Sequence, residues 1–336
     1  IKKSGNWADN KEIRRPGVWK IVKKYWFLIG LATVFAATMV DPTGLLADAG
    51  LVLKRHHGPD VVIFLVFFFS GIVLDPGQIR AGLRDVSGTA MALALIFGFA
   101  PAIAALASLA PLQTGVIIGL FLVSVMPTTL SSGVVMSGAS GGNPAHALFI
   151  TILANLLCMF TIPFTLPLLL GLTDISTQVD FDRTGVMIKI GLYVLVPLCM
   201  GLAVKARAFS RLAAAGARFQ RINQCLILCI VWMGVSQARP VLSGDLGGMV
   251  SMAGVVAIFH CVLLGCAYLM VRMFSVSRGR MEAVLFMGSQ KTLPLSIILQ
   301  VTLFGQFALA LMVCVLHHLV SLLIDGFLVG RLSYRK

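Results

Sequence analysis

Residues 287–296 read Met-Gly-Ser-Gln-Lys-Thr-Leu-Pro-Leu-Ser and lie in the middle of an apolar stretch that runs from residue 281 to residue 303. Gly288 and Pro294 bracket four polar residues there, and both are poor residues for a helix interior. Lys291 is the eleventh of 23 residues, so its Cα is expected roughly 15 Å from either edge of a membrane-spanning helix. A lysine side chain cannot reach water from that depth, and such a costly charge indicates a functional position.

A second stretch, residues 125–134, reads Val-Met-Pro-Thr-Thr-Leu-Ser-Ser-Gly-Val. Pro127 and Gly133 enclose four hydroxyl side chains, those of Thr128, Thr129, Ser131 and Ser132. We expect both stretches to be helices that break within the membrane, where irregular backbone survives only against protein or a water-filled cavity. A proline kink packed against a neighbouring helix is the alternative for either stretch alone. Two polar kinks at equivalent places favour a binding site.

The two stretches are related by a shift of 163 residues, which brings Thr128-Thr-Leu onto Lys291-Thr-Leu. The same shift carries residues 25–172 onto residues 188–335, which is nearly all of the second half, so we predict two repeats of five spans, residues 25–172 and 185–336. An odd number of spans inverts the second repeat in the membrane, and inverted repeats are typical of transporters whose binding site lies near the midplane.

Three further polar residues are expected at the same depth in the membrane as the two kinked stretches. Thr151 and Asn155 are four residues apart and therefore share one face of the fifth span. The 163-residue shift carries Asn155 onto His318 in the tenth span. A buried histidine that only satisfies a backbone carbonyl is the alternative interpretation of His318.

Apolar windows bounded by charge, proline or glycine predict ten membrane spans. They cover residues 25–41, 59–76, 87–110, 114–136, 144–170, 185–206, 222–238, 247–272, 281–303 and 306–330. Hydrophobic residues make up 58% of the chain and charged residues 12%, which excludes a soluble globule, a disordered chain and a disulfide-rich secreted domain. The polar segments 207–221 and 273–280 are expected to be short loops. The fold class is therefore an all-α polytopic membrane protein.

The basic residues predict an orientation. The basic segment 1–24 alone carries eight Lys and Arg residues, and the side of the membrane that holds both termini receives 21 in total against five on the other side. This asymmetry places both termini in the cytoplasm. The chain begins at Ile1 without a signal-peptide core before the first span, so we expect a trimmed sequence.

Several function classes are excluded by what the sequence lacks. The basic residues flank membrane spans, so they are expected to meet lipid headgroups and not nucleic acid. All seven cysteines lie in apolar spans and show no metal-ligand spacing, so we predict no metal site and no cofactor. Neither a Ser-His-Asp pattern nor a His/Asp metal cluster appears, so an intramembrane enzyme is not expected.

Three stretches resemble the bile acid:sodium symporter superfamily, and they are similar above all to its sodium-bile-acid-symporter-like branch. They are Phe68–Leu74, Met126–Met136 with Gly141-Gly-Asn143, and Gly288–Leu293. That branch includes bacterial proteins and the human orphan seventh member of solute carrier family ten, and the resemblance spans residues 20–330. It implies a bacterial inner membrane location and ten helices. Helices 1, 2, 6 and 7 would form a panel domain, and helices 3–5 and 8–10 a core domain in which broken helices 4 and 9 cross.

The resemblance also implies where the sodium sites of the symporters fall in this chain. Their ligand positions correspond to Ser132, Gly133, Ala147, Thr151, Phe286 and Gln290, with phenylalanine in place of the shared glutamate. Ser132, Thr151, Asn155 and Gln290 would remain as a residual cation site. Lys291 is expected to take the place of sodium, with those four side chains accepting hydrogen bonds from its ammonium group.

The sequence therefore predicts a secondary transporter that moves a small anionic or amphipathic solute by alternating access, without the sodium coupling of the symporters. Lys291 would be either a fixed charge or a group that releases a proton during the cycle. A sodium-coupled organic anion symporter and a non-cycling membrane sensor are the alternatives. The candidate binding residues are Pro127, Thr128, Thr129, Ser131, Ser132, Asn155, Gln290, Lys291, Thr292, Pro294 and His318.

Overall fold

The computed structural model describes residues 18–73, 85–129, 132–173, 182–207, 215–242 and 246–333. Three features predicted from the sequence lie wholly or largely outside these ranges. They are most of the basic segment 1–24, the candidate binding residue Ser131 and the basic residues at the end of the chain.

The described residues form helices and contain no β-strand. The first half of the chain holds α1 (Val18–Val40), α2 (Leu45–Arg55), α3 (Gly58–Val73), α4 (Val86–Ala107), α5 (Thr114–Val125), α6 (Ser132–Ala139) and α7 (Pro144–Gly171). The second half holds α8, whose segments Arg183–Ile190, Gly191–Leu195 and Val196–Arg207 are continuous, then α9 (Gly216–Leu242), α10 (Leu246–Met273), α11 (Met281–Ser289), α12 (Leu293–Leu303) and α13 (Ala308–Ser333).

Seven of the described helical stretches are long and apolar enough to cross a membrane, and the bent pair α1–α2 can form an eighth crossing. Two further apolar helices, α3 and α5, are shorter, with 16 and 12 described residues. The protein is thus an all-helical, multi-pass membrane protein.

One helix is missed by the sequence analysis, and one loop prediction is wrong in part. Residues 42–58 contain α2, an 11-residue helix that follows the end of α1 at an angle of 109°. It is amphipathic and too short to span a membrane, so a search for apolar windows misses it. Helix α9 begins at Gly216 and so includes part of the segment predicted as the loop 207–221. The arginines of its first turns do not prevent a helix from extending beyond the apolar region.

The helices pack in two groups. Helices α1, α2, α3, α8 and α9 contact one another, and α4–α7 contact α10–α13. Within the first group, Gly71 of α3 and Gly201 of α8 bring the two backbones so close that a side chain at either position would collide with backbone atoms of the other helix. The groups meet where α3 and α9 pack against α12 and α13.

Candidate functional site

The backbone leaves helical geometry at two places, which overlap the segments where breaks are predicted from the sequence. Helix α5 ends at Val125 and α6 begins at Ser132, while α11 ends at Ser289 and α12 begins at Leu293. The two breaks touch, since the backbone N–H of Thr292 donates to the carbonyl of Pro127 at 2.9 Å. Each break leaves backbone N–H and C=O groups without a partner inside the helix. Because such groups must form hydrogen bonds when buried, the two breaks bond partly to each other.

Lys291 is buried beside this crossing, with 2% of its surface exposed. Its Nζ donates three hydrogen bonds to backbone carbonyls: Ile96 at 2.8 Å, Ser124 at 3.0 Å and Met126 at 3.0 Å. An ammonium group has three protons to donate, so this set satisfies it. Ser124 and Met126 lie at the C-terminal end of α5, where the helix dipole is negative and favours a cation.

These partners correct the sequence prediction. Ser132, Thr151, Asn155 and Gln290 were expected to accept from Lys291, but the ammonium group is held by main-chain oxygen atoms instead. Side-chain patterns in a sequence do not show which carbonyls a helix break leaves free. The environment of Lys291 nevertheless resembles that of a bound cation, because unwound backbone and half-helix C-termini are the groups that hold cations in transporters.

The free carbonyl of Ile96 has a local cause in α4. Residues Leu95–Phe99 form a π-helical turn in which the N–H of Ala100 donates to the carbonyl of Leu95, five residues back. In the same pattern, the backbone N–H of residue 101 would donate to the carbonyl of Ile96. Residue 101 is proline, however, and has no N–H. The π-turn and Pro101 together leave the carbonyl oxygen of Ile96 free to accept a hydrogen bond from Lys291.

Gly288 lets the backbone of α11 approach the π-helical turn of α4. A Cβ atom at position 288 would lie 2.6 Å from Cδ1 of Leu95, so any side chain would push α11 away from α4. Gly288 therefore has two roles. It contributes to the predicted helix break, and it permits the close packing of α11 against α4 that lies next to the hydrogen bond from Lys291 to the Ile96 carbonyl.

Gln290 is the centre of a second set of hydrogen bonds. Its Oε1 accepts from Thr129 Oγ1 at 2.8 Å and from Ser132 Oγ at 3.0 Å, which joins the two breaks through side chains. Its Nε2 donates to Asp325 Oδ2 at 2.8 Å. The other oxygen of Asp325 lies 2.9 Å from Nε2 of His260 on α10.

Asp325 is a functional candidate that the sequence analysis misses. Its position near the end of the tenth span suggested that it lies far from the crossing, yet it is fully buried and contacts Gln290, the residue next to Lys291. Helix α13 continues to Ser333, so Asp325 is further from its end than the predicted span suggested. A carboxylate within an apolar span is a signal that could have identified it.

Thr151 and Asn155 of α7 form hydrogen bonds with the non-helical backbone between α5 and α6. Thr151 Oγ1 donates to the carbonyl of Thr129 at 3.2 Å, and Asn155 Nδ2 donates to the carbonyl of Thr128 at 3.3 Å. The predicted shared face of these two residues thus points at the non-helical backbone of residues 126–129. The side-chain oxygens of Thr128 and Asn155 are buried without a hydrogen-bond partner.

A cavity of about 50 Å³ lies where the two helix groups meet. Five predicted site residues line it: Thr129, Ser132, Thr292, Pro294 and His318. Pro127, Thr128, Asn155, Gln290 and Lys291 do not line the cavity and lie behind its wall or at the crossing. Ser131 lies outside the described residues.

Two cavity residues carry buried polar atoms without a partner. Among the residues that the structure describes, neither ring nitrogen of His318 has a hydrogen-bond partner, and Oδ1 of Asn223 on α9 has none either, while its Nδ2 donates to Ser70 at 2.9 Å. Buried polar groups are normally satisfied, so these atoms are available to a bound solute. Asn223 and Ser70 were not predicted, although each is a polar residue within or at the edge of an apolar stretch.

A charged cluster joins the ends of three helices away from the crossing. Asp85 precedes α4 and accepts hydrogen bonds from Arg280, which precedes α11, and from the backbone N–H of Gly88 at 2.9 Å. His146, near the start of α7, lies 3.6 Å from Asp85 and 3.1 Å from Thr89. These contacts give His146 a structural role between the starts of α4 and α7.

The stability of the protein should depend on Asp85 in acid. The hydrogen bond from Arg280 holds the pKa of this carboxyl at about 2, below its ordinary value of 3.8. Ionised Asp85 therefore stabilises the fold above pH 4, and this contribution is lost as the pH falls from about 4 to about 2. We expect Asp85→Asn to unfold at a lower temperature than the wild type at pH 7 and the difference to shrink towards pH 3. An unchanged difference across this range would contradict the prediction, and Arg280→Gln should reproduce the Asp85→Asn profile.

No metal-binding cluster of three or more His, Cys, Asp or Glu side chains occurs in the described ranges. All seven cysteines are free.

The chain matches known proteins over most of its length. Residues 25–334 match the SBF-like CPA transporter family. The chain is 30% identical over 281 residues to "Probable sodium/metabolite cotransporter BASS4, chloroplastic" of Arabidopsis thaliana, which covers 79% of the chain and 64% of the plant protein. It is 27% identical over 327 residues to "Sodium/bile acid cotransporter 7-A" of Xenopus laevis, which covers 93% of both.

The chain spans slightly less than two thirds of the plant relative and nearly the whole of the frog relative. Both relatives are named as cotransporters and neither as an enzyme. The chain therefore belongs to the SBF-like CPA transporter family, within the bile acid:sodium symporter superfamily, and is a transporter and not an enzyme.

Proposed function

We propose that this protein is a secondary active transporter that moves a small anionic or amphipathic solute by alternating access, without sodium coupling. The observation that carries the proposal is the cavity between the two helix groups, into which unpartnered polar atoms of His318 and Asn223 open. A cavity bounded by two separately packed groups can open to one side or the other when the groups move relative to each other.

The proposal includes the membrane topology. Helices α5 and α6 would form one broken span and α11 and α12 another, which gives ten crossings in two inverted repeats. The group of α1–α3, α8 and α9 would be the panel and the other group the core. The 21 basic residues on one side support a cytoplasmic location of both termini in a plasma membrane.

The charge of the solute follows from the helix ends around the cavity. Ser132 is the first residue of α6, and Thr292 and Pro294 flank the start of α12, so both N-termini line the cavity. Helix N-termini carry partial positive charge and unpaired N–H groups, which favour an anion. An anionic group of the solute would bind at this end, while Lys291 occupies the opposite, negative end of α5.

The proposal is tested with a matched pair of adjacent histidines. Both His317 and His318 are buried on α13, but only His318 lines the cavity. We expect His318→Phe to reduce counterflow of a labelled anion in proteoliposomes by about tenfold, the scale of one hydrogen bond to a charged group. The test uses a panel that contains a bile acid, a dicarboxylate and an aromatic carboxylate.

His317→Phe is the control, because His317 packs against Phe259 and His260 away from the cavity. Equal losses in the two variants would contradict the assignment of the cavity as the binding site. Binding of an anion without counterflow would favour the non-cycling sensor over the transporter.

A further inference from the structure

A second and larger groove lies on the side of the molecule away from the cavity. It has a volume of about 930 Å³ and is bounded by the last turns of α10 and α13 and the first turns of α11. Its walls are mainly apolar and include Leu264, Tyr268, Leu285 and Phe327. Tyr268 and Phe327 are half-exposed or more, so the groove opens to the surroundings of the helices.

The groove is deep because three glycines, which have no side chain, form part of its wall. Gly265, Gly326 and Gly330 line it, and a Cβ atom added at any of them would meet no other atom within 4 Å. Gly326 and Gly330 are four residues apart and therefore lie on one face of α13. Glycines in a membrane helix normally let another helix approach, yet the space over these three is empty of any described part of the chain.

The groove carries an uncompensated positive charge at one end. The guanidinium group of Arg331 lies 4.9 Å from the centre of the Phe327 ring, and it has no carboxylate within 4.0 Å among the described side chains. The nearby Arg278 and Arg280 differ, because they are paired with Glu282 and Asp85. Arg331 lies in the last turn of α13, where a membrane helix meets the headgroups.

We propose that this groove binds one anionic phospholipid, with an acyl chain over the three glycines and the phosphate at Arg331. An apolar channel that ends in a basic side chain at the headgroup level complements a lipid of that kind. A second copy of this chain fits less well, because a symmetric contact through the same groove would bring two Arg331 side chains together. This inference concerns a surface separate from the solute cavity and does not depend on the proposed transport.

The test compares variants of the full chain purified in detergent. Phosphatidylglycerol is added and the lipid retained after washing is measured by mass spectrometry, with phosphatidylcholine as the uncharged comparison. We expect the wild type to retain phosphatidylglycerol preferentially and Arg331→Gln to lower that preference by about fivefold, the scale of one basic residue near a lipid surface. Gly326→Leu should lower the retention of both lipids, because the new side chain fills the groove.

Gly254→Leu is the matched control. Gly254 is an exposed glycine of α10, also with open space around it, but it does not line the groove. We expect this variant to retain lipid as the wild type does, with an unchanged melting temperature. Unchanged lipid preference in Arg331→Gln, or unchanged retention in Gly326→Leu, would overturn the proposal. A change from dimer to monomer in Gly326→Leu would overturn it as well, since a second copy would then be the occupant.

Discussion

Asp325→Leu is expected to destabilise the protein by about 3 kcal/mol. Asp325 is fully buried and accepts from two side chains, Gln290 at 2.8 Å and His260 at 2.9 Å. Leucine has a similar size but no acceptor, so two buried donors would lose their partner, at about 1–3 kcal/mol each. The measurement is the free energy of unfolding of the full chain in detergent.

Asp325→Asn separates the hydrogen bonds from the charge. Its amide oxygen can still accept from Gln290, and its amide nitrogen can donate to a neutral His260, so we expect less than half of the loss seen with leucine. The control is Asp48→Leu on α2, where the carboxylate is exposed and its loss should change stability by less than about 0.5 kcal/mol. Equal stability of wild type and Asp325→Leu would show that this network contributes nothing.

Much of the site could be predicted because helix breaks leave a strong local signal. Proline and glycine at 127, 133, 288 and 294 surround hydroxyl and amide residues in otherwise apolar stretches, and the breaks overlap them. The depth of Lys291 followed from simple counting along its span. Thr129, Ser132 and Thr292 were predicted from these breaks and His318 from the 163-residue shift, and all four line the cavity.

The partners of these residues could not be predicted, since they depend on how distant helices pack. The carbonyl of Ile96 is free only because a π-turn and Pro101 coincide in α4, and a π-turn has no reliable sequence pattern. Asp325 on α13 contacts Gln290 in the break between α11 and α12, and helix periodicity along α13 alone does not show this contact. The sequence therefore shows the positive charge of Lys291 but not the buried carboxylate of Asp325, which contacts the adjacent residue Gln290.

Lys291→Ala should reduce anion counterflow by about a hundredfold. The change leaves the carbonyls of Ile96, Ser124 and Met126 without a donor, and hydrogen bonds to a charged group contribute about 1.5–3 kcal/mol each. It also removes the positive charge at the C-terminal end of α5, so the crossing would then be held by the hydrogen bond from Thr292 to Pro127 and by those that Gln290 accepts. Counterflow equal to that of the wild type would contradict a role for Lys291 in transport.

The same variant tests whether Lys291 stands in for sodium. In the wild type a sodium ion beside the ammonium group would be repelled: at about 5 Å and an effective dielectric of about 20 the repulsion is about 3 kcal/mol, a few hundredfold in affinity. Asp325 does not neutralise the ammonium group by direct pairing, because its oxygens contact Gln290 and His260 and not Lys291. We therefore expect the melting temperature and counterflow of the wild type to be the same in sodium chloride and choline chloride at equal ionic strength.

In Lys291→Ala, by contrast, three carbonyls and the negative end of α5 surround the space that the side chain vacates, and carbonyl oxygens are ligands that hard cations prefer. We expect the melting temperature of this variant to rise with sodium concentration and not with choline. The comparison is repeated at high pH, because a neutral Lys291 would not repel sodium and the wild type would then begin to respond. A steep sodium dependence of the wild type at neutral pH would show that the lysine does not replace the ion.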